Sequence, residues 1–253
     1  MSAMQVTMFY SYKGGAGKTT SLLNVAAILA RSGQKVGMVD LDFEAPALGP
    51  LYDLDTGRKD LLRLMAERPP VAEVEGHAAA VNLSPDSLVY CLPASGDLDL
   101  LDRCDWTDPE MFAYLREVLN AFQKAFNLQH LLLDTRSGVS PQAAFAIQGA
   151  THAVIASRLD RQSRQGAARL RTICRELRLA FSIAAHAVPI DHPMLTSTLD
   201  SFKAEVGQLP DVLIPYDPEL YFAETVVQRE TSENPSPIYQ AYSRLTSMAQ
   251  GNI

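Results

Sequence analysis

Residues 9–20 read "FYSYKGGAGKTT", a strand-like run that enters a glycine-rich turn and leaves it into a stretch suited to helix. Val6 to Tyr10 is short, apolar and aromatic, whereas Lys18 to Ser32 has helix-compatible residues, with Gly33 placed to end them. Strand, loop and helix in that order leave a chain little choice but an α/β layer. Glycines at 14, 15 and 17 let successive backbone N–H groups converge, and such a nest at a helix N-terminus attracts phosphate. The usual G-x-x-x-x-G-K-[ST] count fails, because five residues before Gly17 stands Tyr12; the loop is a deviant K-G-G-x-G-K-T form. Gly14, Gly15, Ala16 and Gly17 would form the cradle, with Lys18 at the β- and γ-phosphates, Thr19 on a magnesium ion and Thr20 at the α-phosphate. That leaves Lys13 as one lysine more than the loop requires.

The rest of the chain repeats the alternation. "KVGMVDLD" reads as a second buried strand that ends in Asp40 and Asp42, and the strand-helix-strand spacing implies a parallel crossover. "SLVYCLPAS", "HLLLDTRSG" ending in Asp134, "HAVIAS", "FSIAAHAVP" and "DVLIPYD" supply further strands. Helical patterns occupy 161–177 and 195–206, and a short helix fits 60–66. Thr107 and Glu110 have capping-box spacing, before a helix expected to bury Leu115, Leu119, Phe122 and Phe126. Residues 67–88 read as an irregular excursion without chemistry. The expected fold is a mostly parallel twisted sheet with helices on both faces, formed by residues 1–253 as one domain. Strand-end carboxylates then fall where open α/β sheets bind ligands.

Charge narrows the partners. With 22 basic and 29 acidic side chains the formal net charge is −7, which argues against wholesale attraction to DNA or anionic lipid and leaves room for a local basic face. Arg158, Arg161, Arg164, Arg169, Arg171, Arg175 and Arg178 share a segment whose only acids are Asp160 and Glu176. At ~100° per residue, 164, 171, 175 and 178 form a stripe opposite Leu170, Ile173 and Leu177. DNA phosphates, an acidic partner, a second copy of the chain or plain solvent all suit such a face. Cys91, Cys104 and Cys174 are odd in number and unpaired in spacing, as expected of free thiols in a cytoplasmic protein. No stretch has the length of a membrane span, and "YQAYSRLTSMAQGNI" lacks the lysine-rich amphipathic pattern of a membrane-surface helix.

The loop, "VDLDFEAPAL", "LLLDTRSG" and "IPYDPELYFAE" together resemble the deviant Walker ATPases of the ParA/MinD type, of the SIMIBI class. "FYSYKGGAGKT", "DLDFEAPAL" and "DTRSG" look most like a bacterial subgroup whose loop reads K-G-G-V-G-R-T, although Lys18 keeps the orthodox lysine here. The resemblance implies a magnesium-dependent ATPase in which Asp40 and Asp134 hold the ion's waters and Asp42 orients the attacking water. Glu44 and Arg136 fall in the implied switch segments without a direct catalytic role. The absence of a guanine-reading [NT]-K-x-D pattern favours ATP, with Pro215, Tyr216 and Asp217 around the base as in relatives. His186 stands where relatives often have asparagine; it either bonds the base or is a histidine satisfied at a strand end. Lys13 matches the family's signature lysine, which crosses to the partner's ATP in a face-to-face dimer, a lysine counterpart of an arginine finger supplied in trans.

The expected function is an ATP-dependent dimerising switch that acts on a protein partner or on DNA, in partition, positioning, regulation or defence signalling. A metabolic synthetase that transfers a phosphoryl group on the same fold is the alternative; Lys13 and the lack of a second substrate motif favour the switch. An iron-carrying role would want paired or bridging cysteines, and a decayed binding module is hard to reconcile with intact Lys18, Thr19, Asp40, Asp42 and Asp134.

Overall fold

Apolar runs that lack alternation belong in strands covered on both faces, and they form the middle of the sheet. A computed structural model describes residues 4–57, 59–221, 225–226 and 235–251. Its strands are β1 (Gln5–Tyr10), β2 (Val36–Asp40), β3 (Ala79–Asn82), β4 (Leu88–Leu92), β5 (His130–Asp134), β6 (His152–Ser157), β7 (Ala180–Val188) and β8 (Val212–Pro215). Its helices are α1 (Lys18–Arg31), α2 (Leu48–Leu51), α3 (Leu61–Glu67), α4 (Val74–His77), α5 (Leu98–Leu101), α6 (Pro109–Phe126), α7 (Pro141–Gly149), α8 (Arg161–Glu176), α9 (Leu195–Val206) and α10 (Pro237–Ala249).

The strands run in the order β3-β4-β2-β5-β1-β6-β7-β8. Every neighbouring pair is parallel except β3 with β4. One core packs α1 and α10 on one face, through residues such as Leu22, Val25, Tyr242 and Leu245; the other packs α3 to α9 on the opposite face. Helices on both faces of a mostly parallel sheet are as expected. Because the chain leaves β1 between β5 and β6, the first loop opens at the sheet's carboxyl edge beside Asp134, which pairs in register with both Phe9 and Asp40.

Several local expectations are corrected. The excursion at 67–88 contains a 3₁₀ turn at Val71–Glu73, α4 and the edge strand β3. Only Val81 of β3 reaches the core, so the strand carries too little apolar pattern to be read, and its backbone pairing with β4 defines it instead. The cap of α6 is Asp108, whose carboxylate accepts from the Glu110 amide; Pro109 takes the first helical position and makes its predecessor the cap. Thr107 bonds Asp105 instead, its hydroxyl donating at 2.6 Å. Leu115, Leu119 and Phe122 are buried as expected, whereas Phe126 is half-buried and stacks on Tyr90 at 4.2 Å. On α8 the buried positions are Ser163, Gly166, Ala167, Leu170 and Cys174; Leu177 lies at the cap and is 54 % exposed. Arg178 has left the helix, with φ 56. The patterns above do not mark α7 or α10.

The three thiols are free and buried, and no helix among the described residues is long and apolar enough to cross a membrane. His152, at the start of β6, is buried with its Nε2 3.0 Å from the Ser182 hydroxyl. Burial pushes its pKa down from 6.5 to about 4. The unfolded chain therefore binds the extra proton between those values, so the contribution of this histidine to stability is complete above pH 6.5 and falls away as pH drops toward 4. Between pH 7 and 4.5, urea unfolding of the wild type should lose ~2 kcal/mol more than unfolding of His152→Gln. Equal losses in the two proteins would refute the assignment.

Candidate functional site

The glycines of the first loop meet a specific backbone demand. Gly15 and Gly17 have φ of 71 and 94, the left-handed region in which a side chain is strained, and Gly17 caps α1. Ala16 is buried beneath the loop, Lys13, Gly14 and Gly15 are exposed along its rim, and Lys18 begins α1. The loop therefore stands over a helix N-terminus with its amides free to face an anion.

Two carboxylates lie under it. The Thr19 hydroxyl donates to Asp134 Oδ2 at 2.6 Å, while Asp134 Oδ1 is buried with no hydrogen-bond partner. Asp40 accepts amides from Asp42, Ala47 and Leu48 at 3.0, 2.8 and 3.0 Å. Burial, followed by the charge of Asp134, pushes the Asp40 carboxyl up to about 7. Burial likewise pushes Asp134 up to about 6, against the Thr19 hydrogen bond and the Lys18 charge. Two neighbouring buried acids and an orphaned oxygen beside a threonine hydroxyl are an all-oxygen donor set short of positive charge, which fits magnesium. No cluster of three or more His, Cys, Asp or Glu suited to a metal occurs among the described residues, so an ion here would depend on phosphate and water as further ligands.

Asp42 lies beyond the end of β2, so strand alternation does not reach it. A turn places it instead, with its Oδ1 accepting from the Ala45 amide at 3.1 Å. The next residue, Phe43, is buried and stacks on Trp106 with ring centroids 5.0 Å apart. Glu44 and Arg136, read separately in the sequence, form an ion pair with each other and join the segment after β2 to the segment after β5. Lys18 Nζ donates to Ser137 Oγ at 2.9 Å, a partner for which the sequence gives no signal beyond its closeness to Asp134.

A cavity of about 270 Å³ adjoins the loop, and Gly15, Gly17, Thr20, His186, Pro215, Tyr216 and Asp217 line it together. Arg158, Ala187, Ile214, Leu220 and Tyr242 complete the wall, without a role at the cavity expected for any of them from the sequence. His186 Nε2 lies 2.8 Å from Ser21 Oγ, and burial, then the charge of Arg158, lowers its pKa to about 4. The ring is thus neutral and shares one nitrogen with α1, and it also forms part of the cavity wall. Residues 222–224 of the "IPYDPELYFAE" stretch lie outside the described residues.

The arginine segment is divided. Arg164 pairs with Glu205 at 2.8 Å and Arg171 donates to Gln208 at 3.0 Å, both toward the α9 side, because α9 packs along α8. Arg169 donates to the Tyr12 hydroxyl, and Arg158 lines the cavity. Arg161, Arg175 and Arg178 are exposed, so the continuous stripe expected from the helical wheel is not present as a surface.

A family model described as an AAA domain matches residues 4–184, more than half of the chain. Among curated relatives, an uncharacterised ATP-binding protein of Methanocaldococcus jannaschii is 28% identical over 150 residues, 59% of this chain and 49% of its own length. A cytosolic Fe-S cluster assembly factor, CFD1 of Yarrowia lipolytica, is 28% identical over 137 residues, covering 54% and 43%. The chain thus spans about half the length of the curated relatives it matches, or less. The solved cell division ATPase MinD of Pyrococcus furiosus superposes with a TM-score of 0.74 at 19% identity, covering 99% of this chain and 100% of that one. The ATP complex of McdA from Cyanothece gives 0.72 at 16% identity, covering 99% and 98%, and a chain of the MinC:MinD cell division protein complex of Aquifex aeolicus gives 0.71 at 19%, covering 98% and 96%. At these identities the structures establish the shared fold, and the family match spans residues 4–184, which include the loop and the acidic strand ends. This protein belongs to the AAA-domain family and has the fold of the MinD structures.

Proposed function

We propose that the protein is a switch that binds ATP, dimerises face to face around two nucleotides, engages a partner in that state and resets by slow hydrolysis. One observation carries the reading: under the loop Lys18 is bonded to Ser137 and Thr19 to Asp134, while Lys13 stands exposed on the rim. A cation outside a site that has its own lysine suits a nucleotide held by another copy.

In this reading the loop amides and Lys18 hold the phosphates, and the Thr20 hydroxyl reaches the α-phosphate. Thr19, with Asp40 and Asp134, would hold magnesium, which would supply neutralisation of the phosphate charge. Asp42 orients the attacking water from its turn. Pro215, Tyr216 and Asp217 face the base, His186 presents its remaining ring nitrogen toward it, and Arg158 joins them at the cavity wall. The Glu44–Arg136 pair couples the two segments that flank the γ-phosphate position. The partner is a protein, as the MinC:MinD neighbour suggests, or non-specific DNA engaged by the exposed arginines near Arg175.

The test is the solution mass of Asp42→Ala with and without ATP. An ATP-dependent doubling is expected, since hydrolysis no longer resets the dimer; a monomer under both conditions would refute the switch. Salt-dependent retention on DNA by the trapped dimer then separates the partners, since counterion release makes phosphate contacts weaken steeply with salt. No retention at low salt would leave the protein partner.

A further inference from the structure

We infer that Tyr12 is a positioning residue: docked in a notch on α8 at Gly166, it presets the direction from which Lys13 reaches out. The inference rests on the reading of Lys13 as a lysine that acts across a dimer. It comes chiefly from the contacts of Tyr12 with α8, which this reading does not use.

The three residues after β1 are held from two sides. On one side, the Gly138 amide donates to the Ser11 carbonyl at 2.9 Å, and the Ser11 hydroxyl lies 3.4 Å from that of Ser137, whose oxygen also accepts from Lys18. The Ser11 hydroxyl also donates to the Lys13 carbonyl at 2.8 Å, which closes the bend between them. On the other side, Tyr12 meets α8. A Cβ added at Gly166 would lie 2.2 Å from Tyr12 Cβ and 2.6 Å from Cγ, so no larger residue fits there unless the tyrosine moves. One turn on, Arg169 donates to the Tyr12 hydroxyl at 2.9 Å, and its guanidinium carbon lies 5.6 Å from the ring centroid.

Gly166 and Arg169 are three residues apart and share one helix face, so the ring is held at its root and at its tip by the same element. Glycine weakens a helix interior relative to alanine, and the close approach of Tyr12 supplies a reason for this one. The same helix begins at Asp160. Burial pushes that carboxyl up, but the Ser163 hydroxyl and amide and the Lys13 charge together hold it below its ordinary value. Lys13 therefore sits one residue from a fixed ring and near the cap of the helix that fixes it.

A flexible lysine that must reach a second nucleotide gains from this arrangement because its Cα is placed before the dimer forms. Pre-organisation of this kind acts on the transition state and leaves the binding of the protein's own ATP alone. It also places Gly166 and Arg169, both distant in sequence from the loop, in the path between α8 and catalysis.

The experiment measures turnover at saturating ATP, ATP affinity and ATP-dependent mass for Tyr12→Ala, Tyr12→Phe, Gly166→Ala, Lys13→Ala and the Tyr12→Ala/Gly166→Ala double variant of the full chain. Tyr12→Ala and Gly166→Ala should each lower turnover by about tenfold with ATP affinity within about twofold of wild type. Tyr12→Phe, which keeps the ring in the notch, should retain most of the rate. The double variant should be no slower than Tyr12→Ala alone, because the clash needs the ring. Wild-type turnover in Tyr12→Ala, with Lys13→Ala inactive, would overturn the positioning role and leave the trans lysine standing. Losses that multiply in the double variant would overturn it too. Wild-type turnover in Lys13→Ala would remove the trans reading and this inference together. If Gly166→Ala fails to fold, Arg169→Gln replaces it, with a smaller loss expected in the presence of Tyr12 and none in its absence.

Discussion

Replacing Lys13 with alanine should lower ATP turnover by about 10³-fold while ATP affinity changes little, the pattern of a group that acts only on transition-state charge. The phosphates of a protomer's own nucleotide are served by its loop amides and by Lys18, whose Nζ lies at the inner side of the loop against Ser137. Lys13 is exposed on the loop's rim, so removing it leaves that ground-state site in place. The loss corresponds to ~4 kcal/mol of transition-state stabilisation. A mixing experiment distinguishes action across the dimer from action within one chain. Lys13→Ala keeps its own Asp42, and Asp42→Ala keeps its own Lys13, so one of the two sites in a mixed dimer has both. Mixing the two slow variants should restore a substantial fraction of the wild-type rate. Two inactive proteins that remain inactive when mixed, despite forming dimers, would assign Lys13 to its own site.

The parts of this site legible in the sequence are those set by local spacing. A glycine loop between a strand and a helix can be read from a dozen residues. Asp40 and Asp134 each end an apolar run, and parallel pairing in register places them side by side. Helix α9 has the expected bounds for the same reason, since its period and its terminating glycine are both local. What escaped depends on neighbours that a period cannot name. The helical wheel of α8 put Arg164 and Arg171 on a free face because it contains no α9; Glu205 and Gln208, about forty residues on, claim them. Glu44 and Arg136 are 92 residues apart, and their pairing depends on β2 and β5 being adjacent, which the strand order fixes and the sequence leaves open. The apolar pattern carries the strand on to Asp42, but β2 stops two residues earlier, where the backbone turns. Tyr242 enters the cavity wall from α10, at the far end of the chain, with no motif around it.

Gly17→Ala should reduce ATP affinity by at least about 100-fold, through two separable costs at one atom. The first is conformational: φ of 94 is a region that alanine adopts at a cost of ~1–2 kcal/mol. The second is steric, because the new Cβ would lie 2.3 Å from Nδ1 and 2.5 Å from Cγ of His186. That ring cannot withdraw easily, being buried, bonded to Ser21 and carried on β7 where the strand is already irregular at Ala187, with φ 52. The exposed rim at residues 13–15 is the softer side, so the loop yields and its amides no longer converge on the phosphates. Together these costs reach ~3 kcal/mol, the scale of a hundredfold change in dissociation constant. Equilibrium titration with a fluorescent ATP analogue measures the loss, and thermal melting checks that the fold persists. Adding His186→Ala removes the steric part and leaves the dihedral part, so the double variant should bind more tightly than Gly17→Ala alone. Affinity that falls further in the double variant would mean that His186 contributes more by contact with the nucleotide than the clash costs, which would decide for the base-contacting role of its ring.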